Sequence, residues 1–324
     1  MNNEYNDIIN LGKCSEREII ELTNSIKANK DKTLLERIKT IGFDNYAFKL
    51  ICKRKKEILV FLIEAVTGLN LNIDDYQIYD AELLSGIKLK SQICDIYVKT
   101  TNTSLKYGID IESEQKTNLT QESLFDRAVL SASKIYADLH YEGDNYKSDK
   151  RSIVIYFCND KYNRDTKLNK EPFTTTKLVD LDIKPQIIHD NITIYRINVK
   201  EAIAYGFKNR IKNDTILVEA LKVLSSDNVE KFIDSKDEVI KAMAEEIKKI
   251  NSNKEDHKSS VLEELAEIRH EMDLGNTYRD GRKEGEKAKE KELISKALSK
   301  GLSEKEVAAL FDISIEEVKR VLAQ

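Results

Sequence analysis

Three carboxylates on two neighbouring predicted strands are the residues of this sequence best suited to chemistry. Residues 93–98 and 105–112 alternate between apolar and polar side chains, as the strands of a hairpin do. Asp95 lies on the first strand, and Asp110 and Glu112 lie on the second. Carboxylates that converge on adjacent strands offer the hard oxygen ligands that Mg²⁺ prefers. A cation held there could lower the pKa of a bound water and neutralise charge on a phosphate.

A four-residue turn at residues 101–104 sets the predicted register of this hairpin. The predicted opposite pairs are Cys94 with Ile111, Asp95 with Asp110, Ile96 with Ile109 and Val98 with Tyr107. In this register the apolar faces match, but like charges lie directly opposite each other and repel. A divalent cation would compensate that repulsion. The alternative is that the acids form only the solvated face of an edge hairpin.

The hairpin lies within a series of helices and strands. The predicted members are helices starting at the capping box Ser15-Glu16-Arg17-Glu18 and near Glu57, a strand around Ile87 and Leu89, a helix at about residues 120–139, and strands at residues 151–158 and 192–199. The apolar stripe of the third helix is Leu124, Ala128, Ala132, Ile135 and Leu139. This order predicts an α/β fold with a mixed central sheet flanked by helices.

The chain after residue 200 is predicted to be helical. The predicted helices cover residues 214–224, 228–250 and 260–272, and two capping boxes at Ser303 and Ser314 begin a short helix-turn-helix-like tail. Residues 292–324 contain five Lys or Arg and six Asp or Glu, a net charge of −1. Because a DNA-reading helix is normally basic, this tail is predicted to mediate homo-oligomerisation, as a dimer, or protein docking.

The composition narrows the class of protein. With 40% hydrophobic residues, 2 Pro and 11 Gly among 324 residues, the chain is unlike a disordered protein or an all-β protein of many short strands. The net charge of −4 restricts any contact with nucleic acid to a local basic patch. The four cysteines are far apart and lack zinc-ligand spacing, and no membrane span is evident, so we expect a cytoplasmic protein with free thiols.

A series of motifs resembles a known family. The motifs are Phe43-Asp44-Asn45-Tyr46-Ala47-Phe48-Lys49, Cys94-Asp95-Ile96-Tyr97-Val98, Tyr107-Gly-Ile-Asp-Ile-Glu112, an Arg-bearing helix that runs to Tyr141-Glu-Gly-Asp-Asn-Tyr146, and the strand at residues 152–157. In this order and at similar spacing, they resemble the PD-(D/E)xK nuclease family transposases, also called recombination-promoting nucleases. The likeness covers roughly residues 40–200.

The resemblance implies a restriction-endonuclease-like core and cleavage of DNA with Mg²⁺, or with Mn²⁺ in its place. Asp95 corresponds to the metal-binding aspartate of the family. The acid pattern of the next strand falls either on Asp110-Ile111-Glu112 or on Glu112-Ser113-Glu114. The predicted metal ligands are therefore Asp95, Asp110 and Glu112. Roles in recombination, transposition or defence are implied by the family.

This sequence departs from the family pattern at its last position. The Lys or Gln expected there is replaced by Glu112 or Glu114, and the neighbouring Gln115 is a candidate substitute. Arg127 and Lys134, seven residues apart on the following helix, are other sources of positive charge. The predicted DNA-binding residues are Arg127, Lys134, Lys53 and Arg54.

These observations predict four regions and leave two functions open. The predicted regions are a helical lead-in at residues 1–40, a nuclease-like domain at 41–200, a helical region at 201–275, and a charged linker with its helical tail at 276–324. The preferred hypothesis is a metal-dependent DNA endonuclease. The alternative is a catalytically inactive nuclease-fold protein that binds DNA or assembles proteins, for which the missing Lys or Gln is the main support.

Overall fold

The computed structural model describes most of the chain. The described residues are 9, 11–28, 33–72, 74, 76–79, 96–100, 106–114, 121–140, 150–158, 171–182, 184–208, 210–211 and 214–323. The chain divides into two compact units, Met1–Glu267 and Ile268–Gln324. The predicted strand around Ile87 and the predicted turn at residues 101–104 lie outside the described residues.

Helices account for most of the described elements. They are α1 Glu16–Lys27, α2 Asn45–Arg54, α3 Lys56–Thr67, α4 Gln121–Leu139, α5 Val199–Tyr205, α6 Asp214–Leu224, α7 Glu238–Ser252, α8 Lys254–Ser299, α9 Glu304–Phe311 and α10 Ile315–Ala323. Short 3₁₀ helices lie at Leu11–Lys13, Leu35–Arg37 and Glu230–Phe232. The predicted capping box is present at Ser15 and Glu18, and α3 ends at Gly68, whose φ is 72°.

A mixed sheet of six strands forms the centre of the first unit. The strands are β1 Tyr76–Tyr79, β2 Ile96–Thr100, β3 Lys106–Glu114, β4 Lys150–Cys158, β5 Phe173–Asp180 and β6 Ile187–Asn198. Their order across the sheet is β1-β2-β3-β4-β6-β5. β3 pairs with β4, and β4 with β6, in parallel, whereas the other pairs are antiparallel. The predicted fold class, a mixed sheet flanked by helices, is confirmed.

The two faces of this sheet carry different cores. Alternate strand residues such as Ile109, Ile111 and Ile155 belong to a large core that includes buried residues of α2, α3, α6 and α7. The intervening residues, such as Val154 and Tyr156, pack against α4. Since Ala128, Ala132, Ile135 and Leu139 are buried there, the predicted stripe of α4 is confirmed at the residues whose side chains are described.

The register of the β2–β3 hairpin differs from the predicted one. Ile96 lies opposite Ile111 and Val98 opposite Ile109, two positions away from the predicted pairing along β3. Tyr97, and not Asp95, lies opposite Asp110, so the predicted direct pair of carboxylates is wrong. A shift of two residues keeps every side chain on its own face, because side chains alternate with a period of two. The apolar faces therefore still match, as the sequence predicted.

The second unit contains a small core of its own. Buried Ile294, Val307, Ala308 and Val318 bring α9 and α10 together with the last turns of α8. The capping box of Ser303 and Glu306 starts α9, as predicted. Asp312, with a φ of 57°, turns the chain between α9 and α10. Within the described residues, no helix is long and apolar enough to cross a membrane.

Candidate functional site

The predicted acidic positions of β3 belong to one face of the sheet. Asp110, Glu112 and Glu114 alternate along the strand with positions such as Ile109 and Ile111, which are buried in the large core. Strand positions alternate between faces, so the three acidic positions lie on the opposite face, the one that α4 covers. Asp95 and Gln115 are outside the described residues, as are the side chains of Asp110, Glu112 and Glu114.

The neighbours of these positions across the sheet are largely apolar or aromatic. Asp110 lies between Tyr97 on β2 and Val154 on β4. Glu112 lies beside Tyr156, and Glu114 lies beside Cys158. Val154, Tyr156 and Cys158 are all buried under α4. The acidic positions therefore border an apolar surface from which water is largely excluded, and such surroundings strengthen electrostatic interactions.

Helix α4 packs closely against β3 at Gly108. A Cβ atom at this glycine would clash with Ile135 Cγ2 and would lie 3.2 Å from the Tyr97 hydroxyl oxygen. On the neighbouring strand, the hydroxyl of Ser152 donates a hydrogen bond to the Ala132 carbonyl over 2.7 Å. These contacts fix the middle of α4 on β3 and β4, and Gly108 lies two residues before Asp110 on β3.

Asp138 connects α4 to β2 on the same face. Its Oδ2 atom accepts a hydrogen bond from the Tyr97 hydroxyl at 3.1 Å and lies 3.3 Å from the Nζ atom of Lys99. Tyr97 is buried and lies opposite Asp110. This contact was not predicted from the sequence; its signal was an acidic residue four positions after Lys134, on the same side of the helix.

Arg127 and Lys134 share the side of α4 that carries Asp138, because residues separated by three, four or seven positions align along a helix. Asp138 contacts β2, so this side of α4 is turned toward β2. Lys134 is only 8% exposed, and Arg127 is half-buried. A buried ammonium group is stable only near compensating polar or negative groups. Lys134 and Arg127 both lie on α4, the helix that covers the acidic positions.

Lys53 and Arg54 lie on a different helix, away from this face. They belong to the last turn of α2, whose buried residues join the core on the opposite face of the sheet. Arg54 contacts Glu246 through Nη1 at 3.1 Å and Asp256 through Nη2 at 2.8 Å. The structure therefore does not bring these two predicted DNA-binding residues together with Arg127 and Lys134, and it gives Arg54 a packing role between helices.

The candidate ligands can be compared with the donor atoms that different metals prefer. Among the side chains that the structure describes, no group of three or more His, Cys, Asp or Glu could hold a metal ion. The acidic positions of β3 would supply only carboxylate oxygens, and they share one face. Such hard donors suit Mg²⁺ or Mn²⁺ better than a thiolate-preferring metal. The chemistry of the β3 positions therefore fits the predicted cation.

Comparison with known proteins points to one family. The family model described as PD-(D/E)XK nuclease family transposase matches residues 43–274. The mixed six-stranded sheet flanked by helices agrees with the restriction-endonuclease-like α/β fold of that family. No curated protein and no solved structure gives a significant match. The matched segment includes the whole sheet and extends into the helical region beyond residue 200, further than the resemblance seen in the sequence.

Proposed function

Since the chain belongs to the PD-(D/E)XK nuclease family transposases, we propose that it is a divalent-metal-dependent endonuclease that hydrolyses phosphodiester bonds of DNA. The observation that carries the proposal is the placement of positions 110, 112 and 114 on the face covered by α4, inside the segment that matches the family. Family membership supports a role in recombination, transposition or defence.

The acidic residues have the roles of cation ligands in this proposal. Asp95, Asp110 and Glu112 would hold Mg²⁺ or Mn²⁺, and Glu114 would replace Asp110 if the second register of the acid pattern applies. A bound divalent cation would supply positive charge beside the scissile phosphate. The carboxylates themselves keep that charge at a fixed place on β3, where the apolar neighbours Val154 and Tyr156 limit access of water.

Lys134 supplies the positive charge that the strand pattern lacks. The family expects Lys or Gln where this chain has Glu112 or Glu114. A lysine that is 8% exposed, on the helix covering the acidic face, can stabilise developing negative charge without using a strand position. Arg127, two turns earlier on the same side of α4, is placed to contact a phosphate of the substrate. Gln115 directly follows β3 and is the alternative polar group.

A second function remains open because of one observation. The glutamate at the last position of the acid pattern removes the residue that the family uses to assist the reaction. A chain that lost cleavage in this way would bind DNA or assemble proteins through the same fold. The second unit, with its acidic helical tail, suits a homodimer contact better than a DNA contact.

Nicking of supercoiled plasmid by purified protein tests the nuclease function. Wild type is compared in Mg²⁺, Mn²⁺ and EDTA with Asp95→Asn, Glu112→Gln and Lys134→Met. Asp227→Asn, which changes an exposed carboxylate, is the matched control. We expect nicking by wild type and the control that needs metal, and a loss of at least about a hundredfold in the three variants. Equal nicking by all proteins would mean contamination and would favour the inactive alternative.

The two registers of the acid pattern are separated by single substitutions. Asp110→Asn should abolish nicking if the pattern is Asp110-Ile111-Glu112, whereas Glu114→Gln should do so if it is Glu112-Ser113-Glu114. The register whose variant leaves the cleavage rate unchanged is rejected.

A further inference from the structure

Two cations share one carboxylate beyond the end of β6. Oε1 of Glu171 lies 3.4 Å from Nζ of Lys208, and its Oε2 lies 3.3 Å from Nη2 of Arg210. We propose that Lys208 and Arg210 form a phosphate-binding site for the DNA backbone, separate from the acidic site and from the DNA-binding residues named above. This proposal rests on the proposed function, because it assumes a DNA substrate.

Among the described side chains of this cluster, the charges do not cancel. One carboxylate faces two cations, so a net charge of +1 remains among the three side chains. Both distances are longer than the 2.7–2.9 Å of a strong charged hydrogen bond. The side chains of Lys208 and Arg210 are 48% and 49% exposed, so an anion can reach them from the solvent.

Contacts of the neighbouring residues hold the cluster in place. Nη1 of Arg210 donates to the Phe173 carbonyl at 3.0 Å, which orients the guanidinium group. Phe207 and Ile211, on either side of the two cations in sequence, are buried in the large core. The Phe207 amide donates to Asp214 Oδ1 at 3.1 Å. A cation pair fixed in this way loses little conformational freedom when it binds a phosphate.

Arg196 adds a third positive charge behind the cluster. This residue is buried, and its Nη2 atom donates to the Glu171 carbonyl at 3.1 Å. It lies on β6 beside Tyr156, which in turn lies beside Glu112 on β3. The positive charge of the cluster therefore extends along the sheet toward the strand that carries the acidic positions.

The cluster also lies at the end of the sheet where β3 ends. Across the sheet, Glu114 pairs with Cys158, and Cys158 pairs with Asn198. The backbone N–H of Asn198 donates to the carbonyl of Pro172, the residue after Glu171. Three strand spacings of about 4.8 Å separate β3 from β5, so the cluster lies about 14 Å across the sheet from the acidic strand. At 3.4 Å per base pair, this distance is about four base pairs along a duplex. A duplex that is bound at β3 and passes over this end of the sheet would bring a backbone phosphate to Lys208 and Arg210.

Fluorescence anisotropy with a labelled DNA duplex in Ca²⁺ tests this site apart from cleavage. The double variant Lys208→Ala/Arg210→Ala should weaken binding about tenfold and reduce the slope of log affinity against log salt by about one to two. Glu171→Gln should strengthen binding, because it removes the opposing charge. The matched control is Lys248→Ala, a half-exposed lysine on α7 paired with Glu230 at 3.1 Å, which should bind like wild type.

The outcomes separate this inference from the nuclease proposal. Wild-type affinity and salt slope in the double variant would overturn the inference, as would an equal loss in Lys248→Ala or no duplex binding by wild type. If the double variant binds normally while wild type still nicks plasmid, only this inference fails. If binding depends on Lys208 and Arg210 but no metal supports nicking, the inference stands and the nuclease proposal fails.

Discussion

Among single residues, Arg54 shows how a cationic stretch can serve the fold. Its guanidinium group joins α2 to Glu246 on α7 and to Asp256 on α8. The Glu246 side chain is only 4% exposed, and Lys249 at 3.8 Å is a more distant cation beside it. Removing one partner of a buried ion pair is costly, because the other charge stays buried. In the sequence, Arg54 could not be distinguished from its solvated neighbours, since its acidic partners lie about 200 residues away.

We predict that Arg54→Ala lowers the free energy of unfolding by about 2 kcal/mol, less than for a fully buried pair because Arg54 itself is partly exposed. Urea denaturation measures this change. Arg17→Ala is the control, since Arg17 and Glu21 form an exposed pair on one helix that the solvent screens, and its loss should lower the free energy of unfolding much less. Equal losses in the two variants would refute the packing role of Arg54.

Because His257 is buried, we predict that the protein loses stability in acid. Its ring is buried, and Nε2 lies 2.8 Å from the Ile38 carbonyl oxygen. Burial lowers the pKa of this imidazole, and nearby Lys39 lowers it further, against the opposite effects of the Ile38 carbonyl and Asp44. The unfolded chain therefore binds the proton more readily than the folded one. Stability from this group is complete above the ordinary histidine pKa of about 6.5 and is lost as the pH falls below it.

Urea midpoints measured above and below the ordinary histidine pKa test this dependence. The wild-type midpoint should fall on acidification, and His257→Gln, which keeps a donor for the Ile38 carbonyl but does not titrate, should fall less. A decline in His257→Gln as steep as in wild type would show that other groups cause it.

For the elements, the contact between α4 and β3 decides how the candidate site is assembled. The contact between Gly108 and Ile135 leaves no room for a side chain at position 108. Because packed interiors have few voids, an added methyl group must displace the helix or the strand. Any displacement here changes the position of Lys134 relative to the acidic positions of β3.

We expect Gly108→Ala to lower the free energy of unfolding by about 1–3 kcal/mol. Adding Ile135→Ala removes the Cγ2 atom in the way, so the double variant should lose less than the sum of the two single variants. Denaturation of the three variants measures this coupling. Strict additivity would contradict the close contact.

The sequence predicted the elements better than it predicted their register. The buried strand β4 and the stripe of α4 were recognised because their apolar pattern reflects burial. β5 was not predicted: it is an edge strand whose residues Thr174–Asp180 are mostly solvent-exposed, so neither face imposes a pattern. α2 was also not predicted, although its sequence contributed to the family resemblance. The predicted hairpin register was wrong by two residues, because the alternation of apolar and polar residues determines only which face of the sheet a residue occupies.

At the scale of the whole molecule, we expect the two compact units to have different functions. The first unit carries the sheet and the candidate site, and the second has its own small core. Leu310 on α9 is a large apolar residue that is 66% exposed. The domain boundaries predicted from the sequence at residues 200 and 275 remain a prediction. We propose that the second unit carries the homodimer contact.

Light scattering after size-exclusion chromatography tests this contact. Wild type should have about twice the chain mass of 37.2 kDa, and Leu310→Lys should shift toward the monomer. The control Leu181→Lys changes a leucine that is 73% exposed in the first unit, and it should leave the mass unchanged. A monomeric wild type would exclude the proposed dimer.

Metal binding is the most direct test of the central claim, that the acidic positions of β3 form a divalent-cation site. Isothermal titration of Mn²⁺ into metal-free wild type should show a binding heat, and Glu112→Gln, which belongs to both registers of the acid pattern, should weaken that binding by more than about tenfold. Asp110→Asn should do the same if the first register applies. Asp227→Asn should titrate like wild type. The absence of binding to wild type, or equal affinity in all four proteins, would contradict the account.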